Sequence, residues 1–343
     1  MFSESRKNGE HIYVKGEPQM KKTIKAIMCV ALVIVLLATL AGCAKINYIT
    51  NGTIKAINEV KSGDWQNAGE EGGEGEEVKD DPVIDELTPG TYGGVDFQSL
   101  EDVATFYKEA YDYTKTLTAE YDENGNTCTY YKLLGDEKME IGDVIIDGSA
   151  NAVVNKLVPS IVDGMFKPNT YGLVPCYNRN PDLDNNSEDE HKKADHDFRT
   201  SAVTADDILA ANVTDNGDGT ITLVIQPKMA EMSMRGDDSQ GRFFEVLGDI
   251  SGVVSDIDAV SFTQGTAEEN VRVLYKGGTV TVKVDAKSKE ILEGEYKMET
   301  TVMVTHASIA VIKDKSATLT ITYTNTYPAS DEYLMEKKGI KRK

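Results

Sequence analysis

Motifs of catalysis are what this 343-residue sequence most lacks. It has no G-x-S-x-G elbow, no H-E-x-x-H pair, no P-loop and no dinucleotide fingerprint, the spacings that present a nucleophile, a metal or a phosphate cradle. Histidine occurs only at His11, His191, His196 and His306. Carboxylates are abundant, but nothing singles out one acid/base pair, so the expectation is a non-enzymatic protein with no cofactor. Cysteine is also scarce. Cys29, Cys43, Cys128 and Cys176 are too few for a disulfide scaffold. No fixed-period repeat marks a solenoid or propeller. Clustered positive charge is missing as well: 36 Lys and Arg face 57 Asp and Glu, for a formal net charge of −21. Six of those basic residues and three of the acidic ones precede Cys43, leaving 30 against 54 beyond it. So acidic a body argues against nucleic acid and anionic headgroups as partners, since both need clustered Lys and Arg. It suits solubility, cations and basic partners.

The long apolar run comes early. Met20–Cys43 reads MKKTIKAIMCVALVIVLLATLAGC, with a basic head (Lys21, Lys22, Lys25), an apolar stretch from Ala26 to Leu40 and then Leu40-Ala41-Gly42-Cys43. Basic region, apolar core and small-residue site in that order form the pattern of a secretory signal peptide over 20–42. Its last four residues resemble the lipobox of bacterial lipoproteins. That resemblance implies cleavage between Gly42 and Cys43 and a diacylglyceryl group on the Cys43 thiol. Two acyl chains anchor firmly because each buried methylene contributes about 0.8 kcal/mol, whereas one chain holds only marginally. The implied place is the extracytoplasmic face of the cell membrane. A transmembrane anchor is the competing reading, but the uncharged run from Ala26 to Gly42 is at the short edge of the ~20 residues that span a bilayer. Residues 1–19 read as an extension ahead of the true start at Met20.

Residues 43–90 read as a tether. Gly63–Glu86 is rich in Gly and acid and too poor in apolar residues to offset its ordering entropy. Residues 91–327 read as the folded body, with a subdomain boundary weighed near 178–200, and 328–343 as a frayed basic tail. Ser99-Leu-Glu-Asp102 opens a helix as a capping box, and Leu100, Val103, Ala104, Tyr107, Ala110, Tyr111, Thr114 and Leu117 recur at helical steps. Asn124-Gly125 is a turn, followed by strands over Thr127–Leu134 and Met139–Ile146 paired as a hairpin. Ala150–Phe166 reads as a helix divided by Pro159.

Asn178–Asp197 is a polar loop in which Asp182-x-Asp184-x-Asn186 echoes the opening of a calcium loop. Ser187 and Lys193 break that pattern where it needs Gly and Glu, so Asp182, Asp184 and Asn186 read first as a solvated loop and second as metal ligands. Cys128 and Cys176 are left as a pair that the compartment permits to bridge. Thr204-Ala-Asp-Asp207 is read as opening a short helix through Ala211, and Thr220–Gln226 as a strand. Gly241–Ile257 carries Phe243, Val246, Leu247, Ile250, Val253, Val254 and Ile257 at helical spacing. From Ala259 the chain is β, with Gly277-Gly278 read as a hairpin turn. Leu319, Ile321 and Tyr323 alternate with Thr318, Thr320, Thr322 and Thr324, which predicts one apolar and one wet face. His306 continues the apolar register of its strand and reads as a structural histidine.

These elements predict an α+β domain, an antiparallel β-meander sheet packed on one face by amphipathic helices. In outline this resembles the half-barrel lipoproteins of the LolA and LppX type, which implies an apolar or lipid ligand held between sheet and helix. Phe243, Phe244, Leu247, Met298 and Val302 are the candidate lining. The second expectation is a non-catalytic envelope module that presents a surface to a protein or cell-wall partner, with a filled core.

Overall fold

The computed structural model describes residues 79–150, 155, 172–175, 199–255, 260–309 and 312–343. The signal segment, Gly42, Cys43, the tether up to residue 78, nearly all of the Ala150–Phe166 pattern, Cys176 and the loop with Asp182, Asp184 and Asn186 lie outside the described residues.

In chain order the elements are β1 (Gly90–Tyr92), β2 (Val95–Phe97), α1 (Leu100–Thr116), β3 (Thr118–Glu123), β4 (Asn126–Tyr131), β5 (Asp136–Ile146) and β6 (Ser149–Ala150). They continue as β7 (Ile208–Asp215), β8 (Thr220–Pro227), β9 (Ala230–Glu231), α2 (Ser251–Ser255), β10 (Val260–Phe262), α3 (Ala267–Asn270) and β11 (Val271–Tyr275). Last come β12 (Thr279–Asp285), β13 (Ile291–Ile309), β14 (Ile312–Tyr327), α4 (Asp331–Tyr333) and β15 (Ile340–Arg342). The protein is mostly antiparallel β-sheet with few helices.

The sheet is organised by β13 and β14, which pair along most of their length from Gly294↔Tyr327 to Ile309↔Ile312. β5 pairs with the outer side of β14, so the order runs β6-β5-β14-β13-β12-β8-β7. On the other side of β13, β10, β11 and β12 follow one another as three segments of a single interrupted partner. Gly277-Gly278 is therefore not a hairpin turn. Tyr275 still pairs with Thr300 and Thr279 with Lys297, while Lys276 N–H donates to the Glu299 carbonyl at 3.2 Å. The pair is a bulge: Gly277 takes φ +82°, and a Cβ on Gly278 would lie 2.8 Å from the Lys297 carbonyl oxygen. β5, before residue 178, and β7–β14, after 200, share this sheet and one buried cluster.

Face alternation follows the sequence. Leu319, Ile321 and Tyr323 are buried at 0–3 %, and the threonines between them are half-buried or exposed. The helix α1 starts as read, with the Ser99 backbone N–H donating to Asp102 Oδ2 at 2.9 Å and Asp102 N–H donating to Ser99 Oγ at 3.4 Å. Its buried stripe is Val103, Ala104, Phe106, Tyr107, Ala110, Tyr111, Thr114 and Lys115, with Leu100 half-buried at its start and Leu117 as the C-cap. The Lys289–Glu109 ion pair, and Ile291 N–H donating to Thr114 Oγ1 at 2.8 Å, tie the helix to the start of β13, and Lys132, just after β4, pairs with Glu290 beside them.

Other expectations need correction. Asn124-Gly125 turns β3 into β4, so Thr127–Leu134 and Met139–Ile146 are not partners; β5 pairs with β14 instead. Thr204–Asp207 keeps its box, with Thr204 N–H and Oγ1–H donating to Asp207 Oδ2 at 2.8 and 2.9 Å, but closes only one tight turn before β7. Pairing with β8 favours the strand, and a bulge between Ile208 and Ala210 lets Ile208, Ala210, Ala211 and Val213 all be buried. Gly241–Ile257 is not one helix. Within it, only Ser251–Ser255 is helical among the described residues, and Gly248 takes φ +71°. The tail is ordered as well: β15 pairs with β3, and Leu334 and Ile340 are fully buried in a second small cluster around Tyr121 and Tyr131.

Candidate functional site

The five residues expected to line a ligand compartment do meet in one buried cluster, and they fill it. Phe243 and Val302 are 0 % exposed, Phe244 1 %, Met298 3 % and Leu247 6 %. The Phe243 ring lies 5.2 Å from that of Tyr107 on α1, and Phe244 packs against Gly278 at the bulge. Leu247 N–H donates to Tyr275 Oη at 3.0 Å. Val302 sits between Val273 and Leu319, and Met298 opposite Tyr323. Side chains around a ligand-sized void would keep accessible surface, and these keep almost none.

The aromatic stripe of α1, readable from sequence at Phe106, Tyr107, Tyr111 and Tyr113 as either groove lining or core packing, buries its first three members, and Tyr107 joins a phenol network whose distant partners the sequence did not reveal. Tyr107 and Tyr296 share a hydrogen bond at 3.2 Å between their hydroxyls, 0 % exposed. Burial pushes the Tyr107 phenol well above its ordinary pKa, and the neighbouring Tyr296 adds to the shift. Burial raises Tyr296 and Tyr275 too, although the Tyr107 hydrogen bond and the Lys115 ammonium draw Tyr296 back in part. Tyr327 closes the group edge-on to Tyr296 at 5.6 Å.

Next to it, three side chains from two elements grip the backbone of Gly172–Pro175. Tyr111 Oη donates to the Pro175 carbonyl at 3.1 Å and to that of Leu173 at 3.4 Å; Lys115 Nζ donates to the Leu173 carbonyl at 3.1 Å. Tyr327 Oη donates to the Gly172 carbonyl at 2.8 Å and accepts from Val174 N–H at 3.2 Å. Lys115 is 1 % exposed, with Nζ 4.9 Å from the Tyr131 ring centroid and 5.4 Å from that of Tyr111. The signal for Lys115 was its place four residues after Tyr111 on the buried stripe, a position where a cation is costly unless partnered.

Comparison with protein families, curated proteins and solved structures finds no match to this chain.

The remaining candidates stand apart. His306 does not continue the apolar register. A bulge between Val304 and Ala307, with His306 at φ +51°, turns the ring to the surface, where Nδ1 lies 2.8 Å from Asp314 Oδ1. Asp314 also accepts from Thr263 Oγ1 at 2.6 Å, and these two hydrogen bonds, Thr263 first, hold its carboxyl below the usual range. Cys128 is a free, half-buried thiol. Among the described residues no group of three or more His, Cys, Asp or Glu is placed to hold a metal, and no helix is long and apolar enough to cross a membrane. The outer face of the sheet is polar over several strands. Thr222, Thr281, Thr301, Thr320 and Thr324 lie half-buried or exposed there, beside the Lys297–Glu299 ion pair at 2.6 Å.

Proposed function

We propose that this chain is a membrane-tethered extracytoplasmic lipoprotein, anchored by a diacylglyceryl group on Cys43, whose body is a non-catalytic envelope interaction module. The observation that favours a module over a carrier is the filled interior: Phe243, Phe244, Leu247, Met298 and Val302 are 0–6 % exposed where an apolar ligand was expected. Recognition then falls to the surface, and the wide threonine-bearing face of the sheet offers hydroxyls and interleaved charges to a protein or cell-wall partner. Residues Asp80–Val83, where the tether meets the body, are docked on it. The fully buried Gln226 side chain donates to the Asp81 carbonyl at 3.1 Å and accepts from Val83 N–H at 2.7 Å, and Met229 N–H donates to Asp80 Oδ2 at 2.6 Å.

Fractionation of bacterial cells tests the anchor. The wild-type chain is expected with the membranes and Cys43→Ala in the soluble fraction; a Cys43→Ala variant that stays on membranes contradicts it.

A further inference from the structure

The geometry points to the outer face of the sheet, around Thr322 and Thr324, as a self-complementary docking surface for a second copy of this chain. This rests on the surface-recognition reading above and names the partner. Three observations carry it. First, the outward residues of β14 are threonines, set between two rails of charge. Thr322 lies between Glu140 on β5 and Glu299 on β13, Thr324 between Lys138 and Lys297, and Thr326 between Asp136 and Glu295. Each row carries one sign on both rails, and the sign alternates from row to row. Second, the rails share one open face. The side chain of Lys138 is 69 % exposed, and those of Lys297 and Glu299 are 43 % and 36 % exposed. The hydrogen bond from Glu299, with the charges of Glu295 and Glu140 behind it, holds the Lys297 ammonium above its usual pKa, so both rails act on one space. Third, the pattern fits itself in one orientation. A two-fold axis lying across the strands, between the Thr322 and Thr324 rows, sets Glu140 over Lys138 and Glu299 over Lys297 of the second copy, and each lysine over the matching glutamate. Thr326 and Glu295 then fall over the hydroxyls of Thr320 and Thr301. An axis along the strands instead puts Glu140 over Glu299 and Lys138 over Lys297, like on like. Two sheets stacked face to face keep their strands within about 30° of each other, so the central rows meet. The rows from Thr320 to Thr326, taken from β5 to β12, cover about 500 Å² of each copy at ~4.8 Å between strands and ~6.8 Å between outward residues. That is near the lower bound of a specific interface, so the pair is weak in dilute solution and forms where anchoring crowds the copies on one membrane.

The test uses the full lipid-anchored chain in phosphatidylcholine vesicles, as a mixture of nitrogen-15-labelled and unlabelled copies. A water-soluble carbodiimide then joins ammonium to carboxylate as an amide, the carbodiimide taking up the water lost. A link between a lysine of one isotope and a glutamate of the other comes only from two copies. Mixed links between Lys138 and Glu140 are expected well above those between Lys132 and Glu290, an ion pair off this face that records chance collision. Lys297→Glu alone and Glu299→Lys alone each set like charges across the axis and should cut the β5 links about ten-fold or more. An equal mixture of the two variants, one in each isotope, should restore them, because positions 297 and 299 then meet with opposite signs. Wild-type links no more frequent than the collisional pair overturn self-docking, as does an unchanged yield in the variants or a loss that mixing fails to restore. If a variant fails to fold, the wild-type comparison decides. The module reading is judged apart from this: a membrane-borne chain that holds no second lipid keeps it even where self-docking fails, and leaves this face to another kind of partner.

Discussion

The Tyr107–Tyr296 pair gives the sharpest test of how this interior is built. Each hydroxyl has the other as its partner at 3.2 Å, and both side chains are fully buried. Tyr296→Phe removes one oxygen and leaves the Tyr107 hydroxyl in a dry site without its bond, which costs about 1–3 kcal/mol. Tyr107→Phe strands Tyr296 in the same way, at a similar cost. The double variant removes both hydroxyls, keeps both rings with their contacts to Phe243 and Tyr327, and is expected to lose no more than either single variant. The cycle therefore yields a coupling of roughly 1–3 kcal/mol, with the double variant well short of additive. Urea unfolding of the four proteins followed by near-ultraviolet circular dichroism measures it, provided the m-values agree. Two single variants that cost nothing, or a double variant equal to their sum, would refute the idea that this bond satisfies both phenols.

Further predictions follow from the same core and its edges. Tyr107, Tyr275 and Tyr296 all have raised folded-state pKa values, so the folded state holds their protons more tightly than the unfolded chain does. Their contribution is intact below the unfolded value near 10 and is lost as pH rises above it, at up to about 4 kcal/mol per pH unit for three phenols. Absorbance of tyrosinate should therefore rise in a cooperative step coincident with alkaline unfolding; smooth early titration of every tyrosine contradicts the burial. Gly278→Ala places a methyl 2.8 Å from the Lys297 carbonyl oxygen and should cost about 1–3 kcal/mol, read as a lower urea midpoint. Ser99→Ala removes the α1 cap and should cost about 1 kcal/mol by the same assay, with no change expected in the sheet's far-ultraviolet signal.

What could be read from sequence was what local periodicity dictates. Leu319, Ile321 and Tyr323 alternate because one face of β14 is buried, and the Ser99 box announces α1 because its hydrogen bonds close within four residues. What could not be read depends on neighbours distant in sequence. The Gly241–Ile257 stripe has helical spacing, yet Phe243, Leu247 and Ile250 are buried from an irregular path, with Gly248 at φ +71° breaking the helix. Gly277-Gly278 carries the signature of a hairpin, but β13 runs past it on one side and holds both flanks in a single line. The bulge at His306 reverses which residues face inward, so parity counted from Tyr296 fails beyond Val304. The tail looked polar because few apolar residues, Ala329, Leu334 and Ile340 with Tyr333 beside them, carry its docking, and the partners Tyr121 and Tyr131 lie some two hundred residues earlier. Of the candidate site, the five apolar residues were read as the lining of a ligand compartment, and the structure buries all five in one cluster. Lys115 and its grip on Gly172–Pro175 were not legible, since only the fold brings a lysine on α1 and a tyrosine at the end of β14 to the same peptide.

Native mass spectrometry of the full chain, released gently from bacterial membranes, tests the central claim most directly. A tethered module with a filled interior predicts a chain that begins at Cys43, carries acylglyceryl mass there and holds nothing else. A chain that retains residues before Cys43, or a second lipid-sized mass that leaves only on denaturation, would contradict it.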